Sequence, residues 1–408
     1  MTQLRVGTPV WLDRRSRHRT TTYPSLEGRY EVDVAIVGAG MTGAGVAATF
    51  AEAGVTVAVI EGGRAGRGST AGSTALLLQE PDKGVLELGA RYGARSAKRI
   101  WEMSRGAARD LVKAIRRLEI FCDLVERDAV YYTTQPDATL RAEHERRSQL
   151  GLAAGRWLTP GPLRELTALP GRGAILTTGN AQLDPYKACL GFLRAASQGG
   201  ALVFEQSPVL RIDHTRNGVT VITRRGAVRA RKVVIATGYA TPGFQPLVGR
   251  FRMHHTYVLA TAPLNARQRR EIGLGDVMIW DTAWPYHYAR WTPDRRLLFG
   301  GEDRPCVSGR QRAAAFRTAT RQLRQHFESL LPALAHVAID HAWEGLFATT
   351  PDGLPYIGRH RRYPHHLFAL GYGGNGMTLG FLAARLLLEQ WRGIESSDHQ
   401  LFGFARLR

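Results

Sequence analysis

The sequence predicts an α/β fold in which strand–helix units near the two ends of the chain enclose strand-rich blocks. Three stretches predict it. Val32–Glu61, VDVAIVGAGMTGAGVAATFAEAGVTVAVIE, reads as strand, glycine turn, helix, strand and acid. Lys232–Gly238, KVVIATG, reads as a buried strand ending in a glycine turn. Gly371–Met377, GYGGNGM, is a glycine loop between a short strand, Leu367–Ala369, and a helix over Thr378–Trp391. Each puts permissive backbone at the end of a strand, where parallel sheets bind ligands.

The first unit says most. Val32–Val37 is apolar and β-branched, which favours a buried strand. Gly38-Ala39-Gly40-Met41-Thr42-Gly43 fits G-x-G-x-x-G. Gly38 permits the tight turn, Gly40 lets backbone approach a pyrophosphate, and Gly43 lets helix and strand pack closely. The helix Ala44–Ala53 offers free N–H groups and a positive dipole end to phosphate. A second strand, Val55–Ile60, ends on Glu61, 18 residues after Gly43, where a carboxylate grips ribose hydroxyls. The glycine motif alone is weak and also occurs in other parallel sheets. With both strands, the helix and the acid, it points to dinucleotide binding. Glycines and Glu52 interrupt the apolar stretch and exclude a membrane-spanning helix there.

Composition sets bounds. The 408 residues suffice for two domains or one bipartite fold. The N-terminus is basic with no apolar segment behind it, so no secretory signal is read. Cys122, Cys189 and Cys306 are widely spaced without C-x-x-C, which argues for reduced thiols in the cytoplasm and against disulfides or zinc. Net charge is +20, which raises the prospect of nucleic acid or a membrane surface as partner. The arginines fall in short clusters, Arg14–Arg19, Arg224–Lys232 and Arg359–Arg362, without a long basic run or RNA motif. A generally arginine-rich surface explains them better.

The remaining chain follows in order. Residues 1–30 read as irregular surface. Gly62–Thr74, rich in glycine and hydroxyls, directly follows the acid and suits a phosphate or a second part of a cofactor. A flexible linker has the same composition. Ala75–Leu78 is an apolar run. Leu86–Leu118, Thr139–Gly155 and Pro162–Leu169 read as helices and Val125–Thr134 as a strand, together an inserted domain or cap. A strand and loop over Gly173–Asp184 lead to a helix at Lys187–Ser197. Ala201–Glu205, Val209–Asp213, Gly218–Thr223 and Ala227–Arg231 alternate as meander strands. Phe251–Thr261, Val277–Thr282, Tyr286–Thr292 and Arg296–Gly300 form a second strand-rich block. Gly309–Leu331 is a basic amphipathic helix packed on a sheet. Thr349–Gly358 is turn-rich, and Gly393 caps the closing helix.

Val32–Glu61, KVVIATG, PDGLPYIG and GYGGNGM, in that order, resemble the D-amino-acid oxidase superfamily of FAD-dependent amine oxidoreductases. The chain looks most similar to its glycine, sarcosine and gamma-glutamylputrescine oxidase branch, from about Leu26 to Leu388. The resemblance implies a Rossmann-like FAD-binding domain built from discontinuous segments, 1–80, 168–245 and 338–408. An antiparallel-sheet substrate domain, 81–167 and 246–337, would cover it. It implies Gly38, Gly40, Met41, Thr42 and Gly43 at the pyrophosphate and Glu61 at the ribose. Arg67, Ser69 and Thr70 fall in the following loop, Val209 beside the adenine, and Thr237 and Gly238 in the ATG turn. Gly373, Gly374, Asn375, Gly376, Met377 and Thr378 fall at the isoalloxazine. There a helix N-terminus stabilises the negative charge of reduced flavin. The implied reaction is hydride transfer from a carbon next to an unprotonated nitrogen to flavin N5, giving an imine that hydrolyses. It needs no metal.

Departures from the resembled pattern narrow the expectation. The position of a flavin-linking cysteine falls near Gly345, which implies non-covalent FAD. A carboxylate-binding lysine becomes Thr378, flanking arginines become Ala75 and Leu78, and an oxygen-activating lysine becomes about Leu298. These imply a polyamine-like or bulkier small-molecule amine, with oxygen or another electron acceptor. Tyr286, Tyr288 and Arg290 share one face of a strand and either line the site or pack the sheet. Glu302 matches a substrate-side histidine of relatives; it holds a cationic amine or is an ordinary turn carboxylate. Tyr288, Glu302 and Thr378 are therefore the catalytic candidates. Trp343 and Phe347 cover the flavin or fill the core. His254-His255 and His365-His366 read as structural. A nicotinamide-dependent dehydrogenase, a tRNA-modification-associated flavin oxidoreductase and a non-catalytic flavin-binding subunit remain as alternatives.

Overall fold

The computed structural model describes residues 5–13, 21–239 and 242–406; the basic cluster Arg14–Arg19 lies outside them. The first unit forms as strand Gly28–Val37, helix Met41–Glu52 and strand Val57–Ile60. The strands run parallel, with Val34 opposite Val57 and Val37 opposite Ile60. The first strand starts ahead of its apolar run because Gly28–Val32 pairs with Gly226–Ala230, adding ladder bonds at its exposed beginning. The helix buries Ala44, Val46, Ala47 and Phe50. It is apolar all round because it packs against the sheet and between two further helices, Pro185–Gln198 and Gly376–Trp391. Asp184 starts the former: its carboxylate accepts from Tyr186 N at 2.9 Å and Lys187 N at 3.0 Å, with Pro185 in the first turn.

Five parallel strands make the first sheet's centre, in the order Leu202–Phe204, Val57–Ile60, Gly28–Val37, Gly226–Gly238 and Tyr363–Leu370. A hairpin, Arg211–Thr215 with Gly218–Ile222, and the strand Tyr356–His360 join antiparallel. Ala227–Arg231 and Lys232–Gly238 are one continuous strand. Its early half alternates beside the hairpin, whereas Val233–Ala236 is wholly buried.

The second sheet runs Ile339–Thr349, Arg252–Thr261, Leu297–Pro305, Tyr288–Trp291, Met278–Asp281, Ala129–Thr133, Gly173–Thr177 and Arg156–Leu158. Every pair is antiparallel except Met278–Asp281 beside Ala129–Thr133, which departs from the expected all-antiparallel sheet. Two strands expected among the cofactor segments, Gly173–Thr177 and Ile339–Thr349, hydrogen-bond into this second sheet. Helix Arg310–Leu330 covers one face through Ala319, Leu323 and Phe327. Among the described residues no helix is long and apolar enough to cross a membrane, and all three cysteines are free thiols.

Candidate active site

The carboxyl ends of the parallel strands open onto one cavity of about 1400 Å³, and residues of both sheets line it. Gly38 turns the chain at φ 104°, a conformation L side chains avoid. Gly40, Met41 and Thr42 line the cavity. Gly43 does not, but a Cβ there would stand 1.9 Å from the Gly38 carbonyl oxygen, so glycine is what seats the helix on the turn. The first intrahelical bond, Ala44 N to Gly40 O at 2.9 Å, leaves earlier amides without helical partners. Thr70 Oγ1 takes one of them, Met41 N, at 2.9 Å. Glu61 accepts from Ala39 N and Gly63 N, both at 2.8 Å, and ties the turn to the next loop. Glu61, Ser69, Thr70, Val209, Thr237 and Gly238 all line the cavity. Arg67 does not: its side chain is exposed and its carbonyl accepts from Arg5, and the arginines lining here include Arg5 and Arg64.

Gly373–Met377 and the N-terminus of helix Gly376–Trp391 line the same cavity, and a Cβ on Gly380 of this helix would stand 2.7 Å from Thr42 Oγ1 of the first. The Asp82 carboxylate accepts from Gly374 N, so this helix end already holds a negative charge. A Cβ on Gly373 would meet Asp82 Oδ2 at 2.3 Å, and one on Gly374 would meet the Tyr286 hydroxyl at 2.1 Å. Asn375 donates through Nδ2 to Glu80 O at 2.7 Å, and its Oδ1 is buried without a partner. Thr378 is a correction to the expected catalytic set. It is fully buried, and its hydroxyl donates to Leu78 O at 3.0 Å, pinning the helix to the neighbouring strand Leu76–Leu77.

The second sheet supplies the facing wall. Tyr286 and Tyr288 line it, the latter with its hydroxyl 3.1 Å from Thr256 Oγ1. Arg290 points elsewhere, donating to Thr74 O at 2.6 Å and Leu183 O at 2.7 Å. Phe347 lines the cavity stacked on His254, whereas Trp343 is core, its Nε1 donating to Gly72 O at 3.0 Å. His254 and His366 thus reach the cavity instead of serving only as packing. Tyr131 and Trp280, stacked at 3.7 Å, are lining residues that sequence reasoning missed.

Glu302 is the second correction. Tyr257 pairs with Gly301 and His255 with Arg304, so Glu302 and Asp303 together face Thr256 across a β-bulge. Glu302 takes φ 58° and turns to Arg304 at 3.0 Å and His287 at 3.7 Å. Asp303 is turned into the cavity, with Oδ1 buried and unpartnered. Burial pushes its carboxyl up to about 7; the Thr256 hydroxyl and His287 oppose this, and the Asp82 and Glu302 charges add to it. Burial also pushes Asp82 up to about 6, opposed by the Gly374 and Asn375 amides and Lys83. The available sequence signal was Gly300-Gly301, because glycine before two acids on a strand marks a bulge.

Behind the bulge, Asp281, His287 and His326 each bring a ligand-capable atom within 4.8 Å of the others. The two imidazoles stack at 3.7 Å and 18°, so their in-plane lone pairs do not meet at one ion about 2 Å from both. His287 Nδ1 is instead bonded to Asp281 Oδ2 at 3.0 Å.

Two helix N-termini at one cavity, an acid at the second strand and a roofing second sheet define a dinucleotide-binding enzyme. The family of FAD dependent oxidoreductases matches residues 33–390, and the chain belongs to it. It is an FAD-dependent oxidoreductase. It is 28% identical to the gamma-glutamylputrescine oxidoreductase of Escherichia coli over 384 residues, 93% of this chain and 88% of that one. It is 26% identical to a probable oxidoreductase, OrdL, of Haemophilus influenzae over 406 residues, 96% and 90% of the two chains. The glycine oxidase structure from Geobacillus kaustophilus superposes with a TM-score of 0.73 at 23% identity, covering 90% of this chain and 96% of that one.

Proposed function

We propose that this protein oxidises the C–N bond of a small amine or amino-acid-like molecule, using FAD held without a covalent link. The observation that carries the reading is the single cavity joining the Gly38–Gly43 turn to the Gly373–Met377 loop beneath a tyrosine and carboxylate wall. The names of the relatives, a gamma-glutamylputrescine oxidoreductase and glycine oxidases, support an amine.

The residues present fit the cofactor. The Gly40–Thr42 backbone and the first helix would hold the pyrophosphate, Glu61 and Val209 the adenosine, and Gly373–Met377 the isoalloxazine. Asp82 on Gly374 N shows that this helix end accepts negative charge, and Asn375 Oδ1 awaits a donor. None of the three cysteines lines the cavity, which supports the non-covalent state. Bound FAD supplies the acceptor for the hydride that leaves the carbon next to nitrogen. The protein's part is to bind the amine with that nitrogen neutral, since its lone pair drives the C–H bond to break. Enclosure between Tyr286 and the glycine loop disfavours the charged form. Oxygen or another acceptor then takes the electrons.

The test is the visible spectrum of purified protein before and after acid precipitation, followed by anaerobic addition of an amine panel. Flavin absorbance passing into the supernatant, and bleaching by an amine, are the expected results. A colourless protein that cannot be reconstituted with FAD overturns the reading. Reoxidation on admitting air distinguishes an oxidase from a dehydrogenase.

A further inference from the structure

The chain carries a net charge of +20, yet two carboxylates, Asp281 and Asp303, line the second-sheet wall of the cavity. We propose that Asp303, with the Thr256 hydroxyl and the ring of Tyr288, forms a subsite for a second, non-reacting cationic nitrogen, so that the substrate is a diamine or longer polyamine and not an α-amino acid. This rests on reading the cavity as an amine-oxidising site.

Four observations carry it. The bulge brings Asp303 into the cavity wall and leaves Oδ1 without a protein donor, so its charge is incompletely met by the protein. The groups acting on Asp303 are the Thr256 hydroxyl, His287, and the carboxylates of Asp82 and Glu302. His287 is itself shared with Asp281 at 3.0 Å, so acid exceeds base here. The arginines on the same strands are committed: Arg290 to two carbonyls, and Arg304 to Glu302 and Gln322. Neither is left to grip a substrate carboxylate beside Asp303; Arg252, which also lines the cavity, stands four residues along its strand from Thr256. Tyr288, its hydroxyl 3.1 Å from Thr256 Oγ1, offers an aromatic face and a phenol oxygen, which suit an ammonium group, and Tyr286, 5.8 Å away between ring centres, stands at the glycine loop.

The chemistry assigns the subsite to the remote nitrogen. A carboxylate favours the protonated amine, whereas the reacting nitrogen must be neutral. One cation held on Asp303 and one neutral amine at the glycine loop satisfy both demands within a single molecule.

The experiment compares 1,4-diaminobutane, n-butylamine and glycine with the FAD-loaded enzyme, in wild type and Asp303→Asn. Each variant's flavin spectrum checks that it is folded. Expected is a kcat/KM for 1,4-diaminobutane at least tenfold above that for n-butylamine in wild type, collapsing to near parity in Asp303→Asn, with Asp303→Glu keeping part of the preference. Parity in wild type, an unchanged ratio in Asp303→Asn, or a preference for glycine overturns the proposal. Anaerobic calorimetry supplies a second readout. If no amine bleaches the flavin but 1,4-diaminobutane still binds more tightly than n-butylamine in an Asp303-dependent way, the subsite stands and the oxidation reading falls. Equal binding of the two amines removes the subsite. Should Asp303→Asn lose FAD, the wild-type preference alone decides.

Discussion

Replacing Gly43 with alanine tests how the Gly38–Gly43 turn, the proposed pyrophosphate site, is built. The new Cβ would lie 1.9 Å from Gly38 O, where ordinary contact begins at 3.4 Å, so helix and turn must part by about 1.5 Å. The obstructing atoms are backbone and cannot rotate away. Overpacking of this kind costs about 1–3 kcal/mol, and here it displaces the amides that face the cavity. With about 1.4 kcal/mol per tenfold change in affinity, the FAD dissociation constant of Gly43→Ala is expected to rise roughly five- to a hundredfold. Gly45→Ala, two residues along the same helix, is the control. Its Cβ meets only Phe381 Cδ2 at 3.6 Å. A glycine-to-alanine change in a helix interior stabilises by roughly 0.5–1 kcal/mol. Titration of apoprotein with FAD, followed by flavin fluorescence, and guanidinium unfolding of both variants provide the measurements. Wild-type FAD affinity in Gly43→Ala, or equal destabilisation by the two substitutions, refutes the reasoning.

Three further outcomes follow from charge. Arg406 and Asp352 form an ion pair at 2.7 Å with both side chains almost wholly enclosed, and Tyr92 and Thr350 also donate to that carboxylate. Arg406→Met leaves a buried charge alone and is expected to cost about 3–5 kcal/mol in urea unfolding. Burial raises the Asp352 carboxyl, but the Arg406 bonds and charge outweigh it and hold it below the usual range. The pair therefore stabilises at neutral pH and is lost as pH falls through that lowered value, so Arg406→Met flattens the acid limb of stability. His366 is pushed down to about 3, first by burial and then by His214, His365 and Lys232. The unfolded chain takes up a proton that the folded one refuses, so stability falls as pH drops below about 6.5; His366→Leu should narrow the difference between urea midpoints at pH 5 and pH 7.5. Asp303, pushed up to about 7, should bind 1,4-diaminobutane more tightly at pH 8 than at pH 6, by calorimetry at fixed ionic strength, with the contrast reduced in Asp303→Asn.

What the sequence disclosed follows the strength of local signals. The Val32–Glu61 unit, KVVIATG and the glycine loop with its helix were legible because glycine and apolar runs fix each locally. Ile339–Thr349 was not, because Gly345 breaks its pattern and its partner lies about ninety residues earlier in Arg252–Thr261. The wall was half legible. Alternation placed Tyr286 and Tyr288 together, but Arg290 beside them was drawn away by distant carbonyls of Thr74 and Leu183. Glu302 and Asp303 were exchanged because one extra residue reverses which side chain faces inward, and Gly300-Gly301 marks a bulge without saying which of the two acids it turns inward. Thr378 sits beside a lining residue, Met377, yet points into its own helix packing; neighbours on a helix do not share a face.

The order of strands also governs how this enzyme is made. Gly226–Gly238 lies between Gly28–Val37 and Tyr363–Leu370, so its later half keeps an open, apolar edge until the last partner is synthesised. At about 5–20 residues per second the wait from Gly238 to Met377 is roughly 7–30 s. Throughout it, the nascent chain has its Gly38–Gly43 turn but not the Gly373–Met377 loop that, on the proposed reading, carries the flavin ring. Loading of the cofactor is therefore a late event in biosynthesis, and Val233–Ile235 is the segment for which chaperone protection matters most.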